Sequence, residues 1–189
     1  MRTAAIAVGM ALSACAAALG QGGGEALVAK APAGFDIGYN ASNSDMAITE
    51  FVPAKQSVNN WTDMVTIQVF YGLKTSPAQF MAKIEKLVSE ACPGASVIEI
   101  KQGEENGYPF NLFLQDCPLN KETGKPEITW YKTIEGKDSF YVVQFATKLK
   151  PSKEKITKWM QYLAGVIVCD TRLAERACGG APGGGNSNP

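Results

Sequence analysis

The sequence predicts an α+β fold in which a single antiparallel sheet of about seven strands packs against two helices. Three observations predict this class. Runs in which apolar residues alternate with period two recur along the chain, turn-forming residues separate several of them, and two segments show the 3.6-residue periodicity of amphipathic helices. The succession is three strands, a helix, four strands and a second helix. A chain of 189 residues is long enough for one such domain with a substantial core.

The longest predicted strand is expected in the interior of this sheet. Val65, Ile67 and Val69 point to one face, while Met64 and Phe70 point to the other, because side chains alternate across a strand. Both faces are apolar enough to require cover. The remaining predicted strands are 35–39, 48–52, 97–101, 108–115, 127–134 and 139–147, the last also apolar on both faces.

Two amphipathic helices are predicted, and we expect their apolar stripes to be core. Ser76, Pro77 and Gln79 form the N-cap, first position and capping box of the first helix. The second helix is predicted to begin near Ser152 and end near Cys169. The two stripes are Phe80, Ile84, Leu87, Val88 and Ala91 in the first helix, and Ile156, Trp159, Met160, Leu163 and Ile167 in the second.

The N-terminus has the pattern of a secretory signal peptide, over residues 1–20. A positive start is followed by a short apolar run that is too short to span a bilayer permanently. Leu12–Cys15 resembles a bacterial lipobox, which predicts lipidation of Cys15, whereas ordinary cleavage near Gly20 is the alternative. Residues 21–31 are predicted to be a flexible linker, residues 32–178 the α+β domain, and residues 179–189 a disordered Gly/Pro/Asn tail.

Four cysteines remain after either processing route, and an exported chain with an even number of cysteines favours two disulfides. Cys92 lies just before a predicted hairpin and Cys117 just after it, so strand pairing brings them together. We therefore predict a Cys92–Cys117 bond. By elimination, Cys169 pairs with Cys178.

Composition excludes several functional classes. The chain contains no histidine, which excludes the usual forms of Ser-His-Asp and Cys-His catalysis and most catalytic zinc sites. Eighteen basic and eighteen acidic residues give no net charge, which disfavours nucleic-acid binding. The sequence lacks an acidic calcium-loop pattern and a glycine-rich phosphate loop after a strand. We expect no metal and no cofactor, and we assign no catalytic residue.

Three polar patterns could carry chemistry, but each has a simpler structural interpretation. Ser152–Lys155 matches the S-x-x-K nucleophile motif, yet its companion motifs are missing, so an N-cap serine beside solvated lysines is favoured. Glu104 and Glu105 could act as paired acids but are predicted to lie on an exposed turn. A basic run could meet lipid headgroups or an acidic partner, although a solvated face is favoured; its members are Lys148, Lys150, Lys153, Lys155 and Lys158.

Aromatic residues supply the candidate recognition surface. Trp61, Trp130 and Tyr131 are the aromatics that we expect to reach a surface, and packing at the edge of the core is the alternative.

Two segments carry a resemblance to known proteins. Trp61–Thr66 (WTDMVT) and Glu105–Phe110 (ENGYPF) resemble stretches in small exported proteobacterial proteins of unknown function. The order of elements across Phe35–Cys169 is similar to that of the Mog1/PsbP-like α/β/α sandwich, which implies helices on both faces of the sheet. Members of that group act mostly as binding or accessory subunits, so the resemblance implies a non-catalytic role. No site residue transfers.

We therefore expect an exported bacterial protein, either periplasmic or anchored as an outer-membrane lipoprotein, that binds an envelope protein or a surface polymer. Contact with the membrane is expected only through a lipid anchor. One alternative is a small hydrolase that uses carboxylates or a Ser-Lys pair in a cleft beside the Ala54–Trp61 loop. Another is an inhibitor or assembly factor of an envelope complex.

Overall fold

The computed structural model describes residues 18–19 and 24–178. The strands are β1 (Ala18–Leu19), β2 (Glu25–Val28), β3 (Phe35–Ser42), β4 (Met46–Pro53), β5 (Asp63–Tyr71), β6 (Ser96–Glu105), β7 (Tyr108–Cys117), β8 (Glu127–Glu135), β9 (Ser139–Thr147) and β10 (Ile167–Asp170). The helices are α1 (Pro77–Ala91), α2 (Lys153–Ala164) and a 3-10 helix (Ala174–Arg176). None of the helices in this part of the chain is long and apolar enough to cross a membrane.

Seven strands form one antiparallel sheet in the order β3-β4-β5-β9-β8-β7-β6, which confirms the predicted fold class. The central strand is β9, in which every residue except Gln144 is buried. Its neighbour β5 is also interior, as the apolar character of both its faces predicts. Both strands are buried on two sides because a helix covers each face of the sheet.

The helix α2 packs on one face through stacked aromatic rings. Trp159 of α2 stacks on Phe145 of β9, with ring centroids 4.0 Å apart, and Phe145 stacks in turn on Trp130 at 5.8 Å. Leu163 of the same helix is fully buried in this cluster. These residues belong to the larger of the two buried clusters on the sheet faces, and aromatic pairs of this kind add to the free energy of burial.

The helix α1 covers the opposite face, in agreement with what the resemblance implies. Phe113 and Tyr131 stack there at 4.6 Å, and Phe80 of α1 lies 5.1 Å from Phe140. The predicted capping box is present, since the Ser76 hydroxyl accepts from the Gln79 N–H and the Gln79 side chain accepts from the Ser76 N–H.

Two disulfides join the pairs expected from the sequence. Cys92, which ends α1, is bonded to Cys117 at the end of β7. Cys169 of β10 is bonded to Cys178, which holds the 3-10 helix against the domain. Cys15 and the rest of residues 1–17 and 20–23, together with 179–189, lie outside the described residues.

The second helix is shorter than predicted. It ends at Ala164 rather than near Cys169, because Gly165 caps it and the β-branched residues that follow favour an extended chain. Ile167 therefore belongs to β10 and not to the apolar stripe of α2.

The predicted linker is wrong from residue 25 onward. Glu25–Val28 is strand β2, which lies between β1 and β10 in a second, three-stranded sheet. Leu27 is 1% exposed in the α2-side core. The Glu25 carboxylate, also buried, accepts hydrogen bonds from the Ser139 N–H and the Tyr141 hydroxyl. These contacts make the segment part of the domain.

Candidate functional site

A groove beside α1 is the candidate functional site, and we call it the α1 groove. It encloses about 480 Å³ between the helix and the sheet. Its lining residues are Gln68, Phe70, Leu73, Thr75, Phe80, Lys83, Ile84, Leu87, Tyr131 and Gln144.

The groove exists because α1 covers only part of its face of the sheet. The helix packs mainly against β6, β7 and β8 and reaches β9 and β5 through Phe80, which lies near Phe140 and Phe70. Beyond it the face continues through β9, β5 and β4 to the edge strand β3. The strand register places Gln144, Thr66, Glu50 and Tyr39 in one row across these four strands. The α1 groove thus opens onto a partly covered sheet surface.

Aliphatic side chains at the rim of the groove are exposed. Leu87 on α1 is 52% exposed and Leu73, in the segment before α1, is 39% exposed. Leu87 belongs to the stripe that we expected to be core, and that prediction is wrong at this position. The helix buries Val88 against the disulfide instead, which leaves the adjacent Leu87 on the open side.

The polar groups on the floor of the groove are already paired with one another. Gln144 donates to Gln68 at 2.8 Å, and the Tyr131 hydroxyl donates to Gln115 at 2.8 Å. Burial raises the pKa of Tyr131, so its hydroxyl stays protonated. No carboxylate, serine or cysteine is among the lining residues. The groove can hold apolar groups, but its lining presents no acid-base pair.

Glu50 is the carboxylate on the adjoining sheet surface. It is half-buried in β4, and desolvation raises its pKa above the ordinary value. It lies two strands away from Gln144 of the groove floor, because β5 separates β4 from β9. Glu50 therefore lies outside the lining of the groove.

The predicted aromatic recognition surface is not formed. Trp130 and Tyr131 are 5% and 7% exposed, so both are buried. As neighbours on a strand they point to opposite faces, Trp130 into the α2-side core and Tyr131 under α1. Trp61 is half-buried on the loop after β4, where the Lys148 ammonium lies 3.7 Å from its ring centroid. Of the three, only Tyr131 contributes to the groove.

The Ser152–Lys155 motif is used for helix capping. The Ser152 hydroxyl accepts a hydrogen bond from the Lys155 N–H, as the N-cap interpretation predicts. The Lys155 ammonium points elsewhere, to Asp63 at 2.5 Å and Thr147 at 3.3 Å. Lys155 and Lys148 are therefore engaged with other side chains, and the prediction of a fully solvated basic face is wrong for these two.

The acidic hairpin tip differs from the expectation at one residue. Glu104 is exposed, but Glu105 forms an ion pair with Lys132, a lysine that is 2% exposed on β8. The Lys132 ammonium also donates to the Val166 carbonyl at 2.8 Å. Desolvation lowers the pKa of Lys132, and Glu105 offsets part of this change. The role of Glu105 is to neutralise a buried cation.

The cleft beside the Ala54–Trp61 loop is small and has no carboxylate in its lining. It encloses about 250 Å³, and Lys55 is the one charged residue in its lining. Gln56 crosses it to hydrogen-bond the Thr62 N–H at 2.8 Å. In the part of the chain that the structure describes, no three potential metal ligands among His, Cys, Asp and Glu lie together.

The two leucines that define the rim, Leu73 and Leu87, are not predicted by the sequence pattern. Leu73 stands alone in a polar segment and has no periodic partner that could mark it. The sequence does contain an indication at Leu87. Leu87 and Val88 are consecutive apolar residues, which makes the apolar stripe of α1 wider than the surface that one sheet face can cover. Such a stripe indicates that part of the helix face lacks cover.

Comparisons with known proteins give a family model and a similarity to two solved structures. A point mutant of the protein Mog1 is 12% identical with a TM-score of 0.45, over 72% of this chain and 78% of that chain. The Saccharomyces cerevisiae Ran-binding protein Mog1p is 11% identical, with the same TM-score and the same coverage. No curated protein matches the sequence. A family model without a functional description matches residues 35–170.

Proposed function

The chain belongs to an uncharacterised family, and we propose that it is a non-catalytic binding or accessory protein that holds a protein partner in the α1 groove. The observation that carries this proposal is the groove itself, which is apolar, open and lined without a carboxylate. Exposed apolar surface of this kind typically marks an interaction site. The paired amides of Gln68 and Gln144 make the floor rigid without adding reactive groups.

The side chains at the rim favour a protein partner over a surface polymer. Leu73, Ile84 and Leu87 are aliphatic, and they fit apolar side chains of a helix or an extended segment. Lys83 is the one charged residue of the lining, and it favours a partner with an acidic residue beside its apolar anchor. We therefore place an apolar side chain of the partner between Leu73 and Leu87.

The proposed location is the bacterial envelope, either periplasmic or lipid-anchored. The signal-like N-terminus and the disulfides support export, since such bonds persist in oxidising compartments. The two processing routes differ in a structural consequence. Lipidation at Cys15 keeps β1, which pairs with β2, whereas cleavage near Gly20 removes it. The intact mass of the mature protein distinguishes the two routes.

Site-specific photo-crosslinking tests the proposed groove. A photoreactive amino acid is placed at Leu73 or Leu87 of the protein expressed in its own cell envelope, and the products are identified by mass spectrometry. We expect one protein to be cross-linked at both positions, because both side chains border the same groove. The purified partner is then titrated against the unmodified protein.

Leu149 provides the matched control. It is 55% exposed, close to the value for Leu87, and lies outside the groove. A photoreactive residue at Leu149 should not capture the same protein. If the products at Leu149 and Leu87 are the same, or if nothing is captured at Leu73 and Leu87, the groove is not the binding surface.

A further inference from the structure

A second pocket, at the end of the sheet, gathers positive charge, and we call it the cationic pocket. It encloses about 370 Å³ where the β6–β7 turn, the β8–β9 turn and the 3-10 helix meet. Its lining includes Lys74, Lys137 and Arg176, and the one acidic residue in the lining is Glu135. The lining is therefore positive although the whole chain is formally neutral.

Two of these cations, Arg176 and Lys74, are held in place by contacts with their neighbours. The Arg176 guanidinium lies over the Tyr108 ring, with its Cζ 4.6 Å from the ring centroid. Gly107 permits this, since a Cβ added there would lie 2.6 Å from the Arg176 Cζ. The Lys74 ammonium donates to the Lys137 carbonyl at 2.5 Å, which fixes Lys74 against the β8–β9 turn that carries Lys137. The Cys169–Cys178 disulfide encloses the 3-10 helix and so holds Arg176 near the pocket.

Apart from Glu135 in the lining, the acids beside the pocket are already paired or hydrogen-bonded. Asp138 and Asp170 both bind Arg172, and the Glu25 carboxylate accepts from backbone N–H groups of the β8–β9 turn. Within the described residues none of the three cations of the pocket forms an ion pair with a carboxylate. The lining thus carries three cations against the single carboxylate of Glu135.

A buried hydroxyl adds a second, independent observation. Tyr108 lines the pocket, is 1% exposed, and its hydroxyl makes no hydrogen bond within the described residues. Burial raises the pKa of Tyr108. A buried polar atom without a partner is unusual and needs an explanation.

We propose that the cationic pocket binds a small anion of the phosphate class, with Arg176 and Lys137 as the principal ligands. The planar guanidinium offers paired N–H donors that match phosphate oxygens, and it keeps them while its face stacks on a ring. Lys137 and Lys74, which also line the pocket, add point charges. The cationic pocket and the α1 groove share no lining residue, although Lys74 lies between Leu73 and Thr75 of the groove.

Calorimetric titration of the disulfide-bonded protein with pyrophosphate, at low ionic strength, tests the proposal. We expect saturable one-site binding that Arg176→Gln and Lys137→Gln each weaken about tenfold, because each removes a charge-assisted contact. Lys150→Gln, which removes an exposed lysine outside the pocket, should change the affinity by less than about twofold. Circular dichroism and non-reducing mass analysis establish that each variant is folded.

A parallel arm identifies the source of the anion. Sedimentation with phosphatidylglycerol vesicles, compared with phosphatidylcholine vesicles, reports binding to a lipid phosphate. Binding to the anionic vesicles that requires Arg176 also supports the pocket and assigns the phosphate to a lipid headgroup. The proposal is overturned if neither pyrophosphate nor anionic vesicles bind, or if Lys150→Gln weakens binding as much as Arg176→Gln.

Discussion

Glu25 should be essential for stability, because it fastens β2 to the main sheet. Its carboxylate accepts from the N–H groups of Lys137, Asp138 and Ser139 at 2.5, 3.2 and 3.2 Å, and from the Tyr141 hydroxyl at 2.9 Å. Glu25→Ala removes all four acceptor contacts at once. Water can take the place of the lost carboxylate only at those donors that are exposed in the variant.

The size of the stability loss depends on which of these donors remain inaccessible to water. Lys137 and Asp138 are exposed, so water satisfies their N–H groups in the variant. Ser139 and Tyr141 are 7% and 2% exposed, and their donors are left without partners. At roughly 1.5 kcal/mol for each buried donor without a partner, Glu25→Ala should lower the free energy of unfolding by about 3 kcal/mol.

Urea unfolding followed by tryptophan fluorescence measures this loss. Tyr141→Phe removes one hydrogen bond and should cost about 1 kcal/mol, and in the double variant the two effects should not add, because they share a contact. Glu122→Ala, at an exposed loop position, is the control and should stay within about 0.5 kcal/mol of the wild type. A Glu25→Ala protein as stable as this control would refute the reasoning and restore the linker interpretation.

Three further predictions concern charge and covalent links. Glu105→Ala leaves the buried Lys132 ammonium without its counter-charge and should cost about 3 to 5 kcal/mol in urea unfolding at pH 7. Without Glu105 nothing offsets the desolvation, so folded Lys132 releases its proton at a lower pH in the variant than in the wild type. The loss should therefore shrink as the pH rises towards 10.5, and a loss independent of pH would exclude the mechanism. Hydrogen bonds from Arg172 lower the pKa of Asp170 to about 2, so the stability that Asp170→Asn removes at neutral pH should disappear between pH 3.8 and about pH 2, which acid titration of both proteins measures. Replacing Cys92 and Cys117 together by alanine opens a loop with a sequence separation of 25 and should lower the free energy of unfolding by about 3.5 kcal/mol, and a loss below about 1 kcal/mol would contradict the loop-entropy argument.

Much of the fold is local in origin and could be predicted from the sequence. The Ser76–Gln79 capping box, the Asn106–Gly107 turn and the alternation in Ser139–Thr147 each depend on neighbouring residues, and each is present in the structure. The β2 strand could not be predicted this way. It has four residues after a glycine tract, and its partner β10 lies far along the chain. Only the three-dimensional fold brings them together.

The site was harder to predict because periodicity shows which residues are apolar but not which are covered. Leu87 and Val88 look equivalent in the helical pattern, yet one is 52% exposed and the other 9%. The sequence did contain a reason to reject the aromatic surface, since Trp130 and Tyr131 adjoin on a strand and cannot share a face. The cationic pocket joins residues from four separate segments, which no local pattern connects.

The affinity of the cross-linked partner for two leucine variants tests the central claim most directly. The purified partner is titrated against the wild type, Leu87→Glu and Leu149→Glu, which place the same charge at equally exposed positions inside and outside the α1 groove. We predict that Leu87→Glu weakens binding about tenfold or more, as expected at the centre of an apolar contact, while Leu149→Glu leaves it unchanged. Equal affinity of the wild type and Leu87→Glu would contradict the assignment of the α1 groove as the binding surface.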